Sequence, residues 1–307
     1  MTDESPLDLN SPGVPNAIAR RLKHDINEYA VRAYYEPHRW HLGASLIGHE
    51  CSRYLWYVFR WCGNEAKPDD IEAWGRKLRL FNRGHREEER YIEFLNGIGA
   101  TVYTFDPNSP LDEEGKHSQY RMSAIGGHYG GSLDAIIQLP PRYRIAQPLL
   151  GEFKTNNTGK SFSDLLDTGV ARAKPQHFVQ MSVYGLEYKL EYGAYFNVCK
   201  NDDDLHIEVV KLNWNMAEGF KKKAESIITA TTPPERMSEN PTYFKCLYCP
   251  MKKVCHEGAA PEMNCRSCKN ATPVDGANWH CSVYNDIIPR DFVPKGCPSY
   301  QAITNVK

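Results

Sequence analysis

The stretch GGSLDAIIQLPPRYRIAQPLLGEFKT (130–155) sets Asp134 at the start of one β-rich run and an acid-x-lysine pair, Glu152 and Lys154, at the end of the next. Side chains alternate faces along a strand, so Glu152 and Lys154 share a face. If the two runs pair, Asp134 joins them, and a strand tip bearing carboxylates calls for positive charge. Two converging carboxylates suit Mg²⁺, a hard cation that takes oxygen ligands. Lys154 would then lie beside a metal-bound water, favouring hydroxide or neutralising charge that grows on a phosphate. Solvated strand ends are the plain alternative, because isolated D…ExK triplets arise by chance. The rest of the chain has to decide.

Around this stretch the hydrophobic pattern predicts helix over 16–35, a second helix in LIGHECSRYLWYVFRW with Ser45 as its cap, and a third over about 70–97. Short runs rich in β-branched and aromatic residues follow at 100–105, 119–125, 132–139 and 148–155, and are expected as neighbours in one sheet. A helix over 175–190, the strand pair GAYFNVC and LHIEVVKL turned by KNDDD, and a helix over 215–231 complete the pattern. Residues 1–16, rich in Pro, Ser and Asp, read as a flexible tail. The order predicts an α/β fold, a mixed β-sheet flanked by helices, closed by a cysteine-rich metal-binding C-terminal segment.

Two helical spacings add polar groups. In FNRGHREEERYIEFL, Gly84 and Glu88 are four apart on one face, with His85 a less fitting substitute for Glu88; in KPQHFVQMSVYGLEY, Gln180 and Tyr184 are four apart. An ordinary charged helix and an ordinary amphipathic helix are the bland readings of each. The ordered set Gly84/Glu88, Gly131-x-Leu133-Asp134, Glu152-x-Lys154 and Gln180/Tyr184 resembles the PD-(D/E)xK nuclease superfamily, in its RecB-like and phage-exonuclease group. The resemblance spans about 84–184 and implies a restriction-endonuclease-like sheet. It also implies catalytic roles for Glu88, Asp134, Glu152, Lys154, Gln180 and Tyr184, with Mg²⁺ or Mn²⁺ on Asp134 and Glu152. Many RecB-like members carry histidine where Glu88 stands.

Ten cysteines are many for a reducing compartment, and six fall between Cys246 and Cys281. Cys246, Cys249 and Cys255 give C-x2-C-x5-C, one thiolate short of a four-ligand site. The segment Cys51-x-Arg53-x-Leu55-Trp56-Tyr57 resembles the one preceding the core of the iron-staple nucleases, the CRISPR adaptation and AddB-type enzymes among them. That resemblance implies Cys51 as the fourth ligand of a structural [4Fe–4S] cluster; Zn²⁺ on the same sulfurs remains the alternative. Cys265, Cys268, Cys281 and Cys297 give C-x2-C-x12-C-x15-C, spacing that suits a structural Zn²⁺, with His280 able to replace one sulfur. Cys62 and Cys199, on apolar segments, are expected as buried free thiols.

The expected organisation is a tail (1–16), a nuclease domain closed by the cluster (17–260) and a small zinc-binding module (261–307). The chain has 307 residues, 41% of them hydrophobic, enough for a sizeable core. Its net charge of -1 lacks the global basicity of an architectural nucleic-acid binder. Basic residues nonetheless cluster at Arg76, Lys77, Arg79, Arg83 and Arg86 and at Lys221–Lys223, either as a phosphate-backbone patch or as a solvated helix face. No apolar run reaches the roughly 18 residues of a membrane span, and the acidic, proline-broken start MTDESPLDLNSPGVP is unlike a signal peptide, so a cytoplasmic location is expected. The resulting expectation is a divalent-metal-dependent DNA exonuclease of a phage or bacterium, acting on DNA ends in recombination or degradation. A homo-oligomer or a recombination partner protein is left open. The competing expectation is a catalytically silent nucleic-acid-binding or assembly module on the same fold.

Overall fold

The computed structural model describes residues 7–35, 37–63 and 70–303, so the first six residues of the expected tail lie outside it. The chain divides into two compact units, Met1–Pro37 with Ala66–Arg86, and His38–Glu65 with Glu87–Lys307.

In the first unit, helix α1 (Val14–Tyr34) begins two residues earlier than the sequence pattern suggested, because Pro15 sits in its first turn where a missing N–H costs nothing. It packs on the first part of a long helix that carries residues 71–86. Asn27 Nδ2 donates to Glu72 Oε2 at 2.9 Å. Gly75 permits that approach, since a Cβ there would lie 2.6 Å from the Asn27 Cα. The cations Arg76, Lys77, Arg79, Arg83 and Arg86 are exposed on this helix, Lys77 lying over the Trp74 ring.

The second unit opens with β1 (Leu42–Gly43) and helix α2 (Ser52–Phe59). Ser45 caps nothing here. The Gln176 amide donates to the Ser45 carbonyl at 2.7 Å, and Lys223 Nζ donates to those of Ile47 and His49 at 3.2 and 2.6 Å. Carbonyls bound by distant side chains hold this segment in turns, so α2 starts only at Ser52, with Cys51 Sγ accepting the Tyr54 N–H at 3.4 Å. Lys223 is thereby committed to structure, not to a phosphate patch.

The long helix α3 (Ile71–Gly97) leads into β2 (Thr101–Tyr103), β3 (Arg121–Ala124), β4 (Tyr129–Ser132), β5 (Ala135–Gln138) and β6 (Leu149–Asn156). Helices α4 (Lys160–Thr168), α5 (Val170–Ala173) and α6 (Pro175–Tyr188) follow, then β7 (Tyr192–Cys199), β8 (Leu205–Lys211) and α7 (Trp214–Thr229). The main sheet has the order β2-β5-β6-β7-β8; β6 and β7 run parallel and the other pairs antiparallel. The crossover through α4–α6 is what a parallel pair requires. The chain therefore has the α/β architecture read from its sequence, a mixed sheet with helices on both faces.

One expectation about that sheet fails. The run at 119–125 does not join it but forms a separate three-stranded sheet, β1-β4-β3. The run 132–139 is also broken, because the chain leaves the small sheet after Ser132 and enters the large one at Ala135. Asp134 sits at that switch, held there by the Phe153 N–H, which donates to its Oδ2 at 2.8 Å.

Alternation along β6 and β7 sorts the two faces. Leu149, Phe153, Ala194, Phe196 and Val198 pack with Tyr91 and Leu95 of α3, Phe153 stacking on Tyr91 with ring centroids 5.1 Å apart. Leu150 and Tyr195 belong to the other core, with Val179, Met181 and Tyr184 of α6, and α7 packs outside α6. Glu152 and Lys154 fall in the register of Leu150, so both side chains enter the α6 side.

The remaining segment contains α8 (Phe244–Leu247), α9 (Lys252–His256) and a small antiparallel sheet of β9 (Ala271–Val274), β10 (Asn278–Cys281) and β11 (Asp286–Ile287). Trp279 of this segment is part of the core that contains α2, α6 and α7. Among the described residues no helix is long and apolar enough to cross a membrane.

Candidate active site

The three charged residues of the opening stretch meet. Lys154 Nζ lies 2.5 Å from Glu152 Oε1 and 3.5 Å from Asp134 Oδ2, and also donates to the Phe153 carbonyl at 3.0 Å. The pairing of Ala135 with Gly151 in the β5–β6 ladder brings Asp134 up to Glu152.

Glu152 is the anomaly. Its carboxylate is completely buried, and neither oxygen has a partner in hydrogen-bond geometry despite the close ammonium of Lys154. Burial pushes its pKa well above the usual carboxylate range, Lys154 opposing that and Asp134 adding to it. For Lys154, burial acts downward, but the carboxylates of Asp134 and Glu152 outweigh it and hold the ammonium charged. A buried carboxylate without hydrogen bonds is costly, and such groups are kept where a cation or chemistry uses them.

Glu88, on α3, is in the same electrostatic field. Burial first, then the Asp134 charge, push it up to about 7, with Lys154 opposing. His85 is exposed, and its neighbour Glu87 accepts both Arg90 contacts at 2.9 and 3.0 Å, so Glu88 is the acid of this helix that faces the site. Tyr184 is buried, and its phenol is held up by burial and by the charges of Glu152 and Asp134. Its hydroxyl abuts Gly131, where an added Cβ would collide with it. Hence the glycine of GGSLD is a space requirement. Gly131→Ala is expected to destabilise by about 1–3 kcal/mol, as overpacking does, and thermal unfolding against the wild type checks it. Gln180 is buried on the same helix one turn before Tyr184.

Sequence reasoning missed the floor of this site. Tyr195 pairs in register with Glu152. His177 Nδ1 lies 2.9 Å from the Tyr195 hydroxyl, which also accepts from Asn197 Nδ2 at 3.2 Å. Burial, then the charges of Lys154 and Lys174, push His177 down to about 3, so its imidazole is neutral. The signals were there: His177 stands three before Gln180 on one helical face, and Tyr195 and Asn197 alternate on one face of β7.

The donor set fits a hard divalent cation. It supplies carboxylate oxygens, one pair of them buried without hydrogen bonds, and the Lys154 ammonium stands in for the positive charge they need. Among the described residues, no three His, Cys, Asp or Glu side chains close into a ready-made ion cage.

Away from the sheet, Cys51, Cys246, Cys249 and Cys255 line one cavity with Tyr57 and Arg236. All four are free thiols. Arg53 donates to the Pro234 carbonyl at 2.8 Å and to the Tyr57 hydroxyl at 3.0 Å, while Trp56 Nε1 donates to Ala230 O at 3.0 Å. Arg53 and Trp56 thus tie α2 to the chain leading into the later cysteines. Cys62 and Cys199 are buried free thiols, as expected.

No protein-family model matches the chain, and no curated protein does. Among solved structures it is similar to SSO0001, at 15% identity over 78% of this chain and 96% of that one, with a TM-score of 0.42. It is also similar to LHK-Exo, an alkaline exonuclease from Laribacter hongkongensis, at 12% identity over 65% of this chain and 90% of that one, with a TM-score of 0.34. The same enzyme in complex with dAMP gives 11% identity, 61% and 86% coverage and a TM-score of 0.36. These are loose likenesses, and the functional reading rests on the site itself.

Proposed function

We propose that this chain is a Mg²⁺- or Mn²⁺-dependent deoxyribonuclease of the PD-(D/E)xK type, an exonuclease that hydrolyses phosphodiester bonds at DNA ends in recombination or degradation. The observation that carries this reading is the meeting of Asp134, Glu152 and Lys154, with the fully buried Glu152 carboxylate having the Lys154 ammonium as its close polar neighbour. Asp134 and Glu152 would hold the ion, with Glu88 beside them. When bound, the ion supplies a water acidic enough to act as nucleophile near neutral pH. Lys154 keeps its proton and neutralises charge growing on the phosphate as the bond breaks. Tyr184 and Gln180 orient the acids and the DNA, and the neutral His177 with Tyr195 fixes the floor. In the same reading Cys51, Cys246, Cys249 and Cys255 hold a structural [4Fe–4S] cluster. Restriction to DNA ends, and a phage or bacterial setting, rest on the sequence resemblance.

The purified protein is expected to shorten end-labelled DNA with Mg²⁺ or Mn²⁺ and to stop when EDTA is added. DNA binding that persists without metal, with no cleavage under any divalent ion, would instead make this a binding module on the same fold.

The raised carboxyls give a pH dependence of definite sign. A cation competes with the proton on Glu88, whose pKa stands near 7, and on Glu152. Higher pH removes that proton, so Mn²⁺ affinity is expected to increase from pH 6 to pH 8, by up to about tenfold per pH unit for each proton released. Titration calorimetry in two buffers of different ionisation enthalpy measures both quantities. An affinity flat across that range would contradict the assignment of ligands.

A further inference from the structure

Cys265, Cys268, Cys281 and Cys297 line a single small cavity beneath β9–β10. They come from three separate pieces of chain. The first is a turn in which the Cys268 N–H donates to Cys265 O at 3.1 Å, the second is the end of β10, and the third is a turn in which Tyr300 N–H donates to Cys297 O at 2.9 Å. No disulfide joins them. Cys268 Sγ accepts the Gln301 N–H at 3.4 Å. Burial, then the facing thiols of Cys297, Cys268 and Cys281, push Cys265 up to about 11. His280 does not line this cavity: it lies on the opposite face of β10 from Trp279 and Cys281. As the sulfurs stand, no three of them close on one point, so an ion would draw them inward.

A second, independent observation lies next to this cavity. Arg266, between the first two cysteines, is fully buried, its guanidinium 4.6, 4.4 and 4.8 Å from the ring centres of Phe59, Trp61 and Trp279. Arg60 is buried beside it, 4.9 Å from the Trp279 ring. Neither makes an ion pair with a carboxylate among the described residues. Arg266 Nη1 reaches only the Arg39 and Trp40 carbonyls, at 3.3 Å each, while its Nε and Nη2 and the Nε of Arg60 are buried without partners. Two adjacent buried guanidinium groups without an anion are strongly unfavourable. Burial pushes the Arg60 pKa down to about 10, opposed first by the Cys62 thiol and then by that of Cys268.

We propose that Cys265, Cys268, Cys281 and Cys297 bind one Zn²⁺, and that the resulting four-thiolate site, with its net double negative charge, is the counter-charge that allows Arg60 and Arg266 to be buried. Four sulfurs in two short turns and a strand end, drawn inward by an ion, would supply the tetrahedral ligand set of a structural zinc site. The site is separate from the nuclease reading and from the Cys51 site.

Full-length protein is expected to carry one zinc per chain, retained in Cys51→Ser and lost in Cys281→Ser and Cys297→Ser. Cobalt exchanged into the wild type should give the intense sulfur-to-metal absorption of a tetrahedral four-thiolate centre. Absence of zinc, or iron bound by these four cysteines, would overturn the metal assignment without any variant having to fold. For the counter-charge, the fall in melting temperature caused by Cys297→Ser is expected to shrink at least twofold when Arg266→Met is also present. Equal falls in the two backgrounds would reduce the metal to a local clip.

Discussion

Asp134→Asn and Lys154→Ala are each expected to lower DNA cleavage by at least about 10²–10³-fold, the cost of removing one group that stabilises transition-state charge. They should differ in a second measurement. Asp134→Asn removes a carboxylate ligand, so Mn²⁺ should no longer raise its melting temperature. Lys154→Ala removes a competing cation from Glu152, 2.5 Å away, so Mn²⁺ binding should persist or strengthen while cleavage is lost. That split separates a metal-and-lysine site from a surface ion pair, for which both variants would be silent. Wild-type cleavage by both variants defeats the nuclease reading.

The second large effect concerns the cysteines that face α2. Cys51→Ser is expected to abolish the iron content and brown colour of anaerobically purified protein. It should also destabilise by roughly 2–5 kcal/mol, the range for losing a cross-link that closes a long loop, which is on the order of 10 °C in melting temperature. Cys62→Ser is the control. Cys62 is fully buried, its thiol pushed up to about 12 by burial, and it lines neither cysteine cavity, so iron and zinc should both survive the change. Zinc in place of iron at the Cys51 site would correct the metal while leaving the sheet and its acids untouched.

Local signals carried much of this. Glu152 and Lys154 are two apart on a strand, and Gln180 and Tyr184 four apart on a helix; period alone fixes which residues share a face. The four cysteines of the later set line a common cavity, as their spacing suggested, and Cys51 joins the earlier three in another, as the family resemblance implied. What escaped was long-range. The strand at 121–124 looks like any neighbour of the main sheet, yet pairs with β4, because the chain changes sheets at Asp134 and nothing local marks the switch. The helix expected from Ser45 is lost because Gln176 and Lys223, far along the chain, take the carbonyls of residues 45–49. His177 and Tyr195 share the right local spacing, but what gives them relevance is a contact between α6 and β7.

The packing of α2 also bears on when the core closes during synthesis. A nascent chain paused near residue 240 already carries Glu88, Asp134, Glu152, Lys154, Gln180 and Tyr184. It lacks the three cysteines that share a cavity with Cys51, and it lacks Arg266 and Trp279, which pack against Phe59 at the end of α2. The core around α2 is therefore completed only once the final segment has been made.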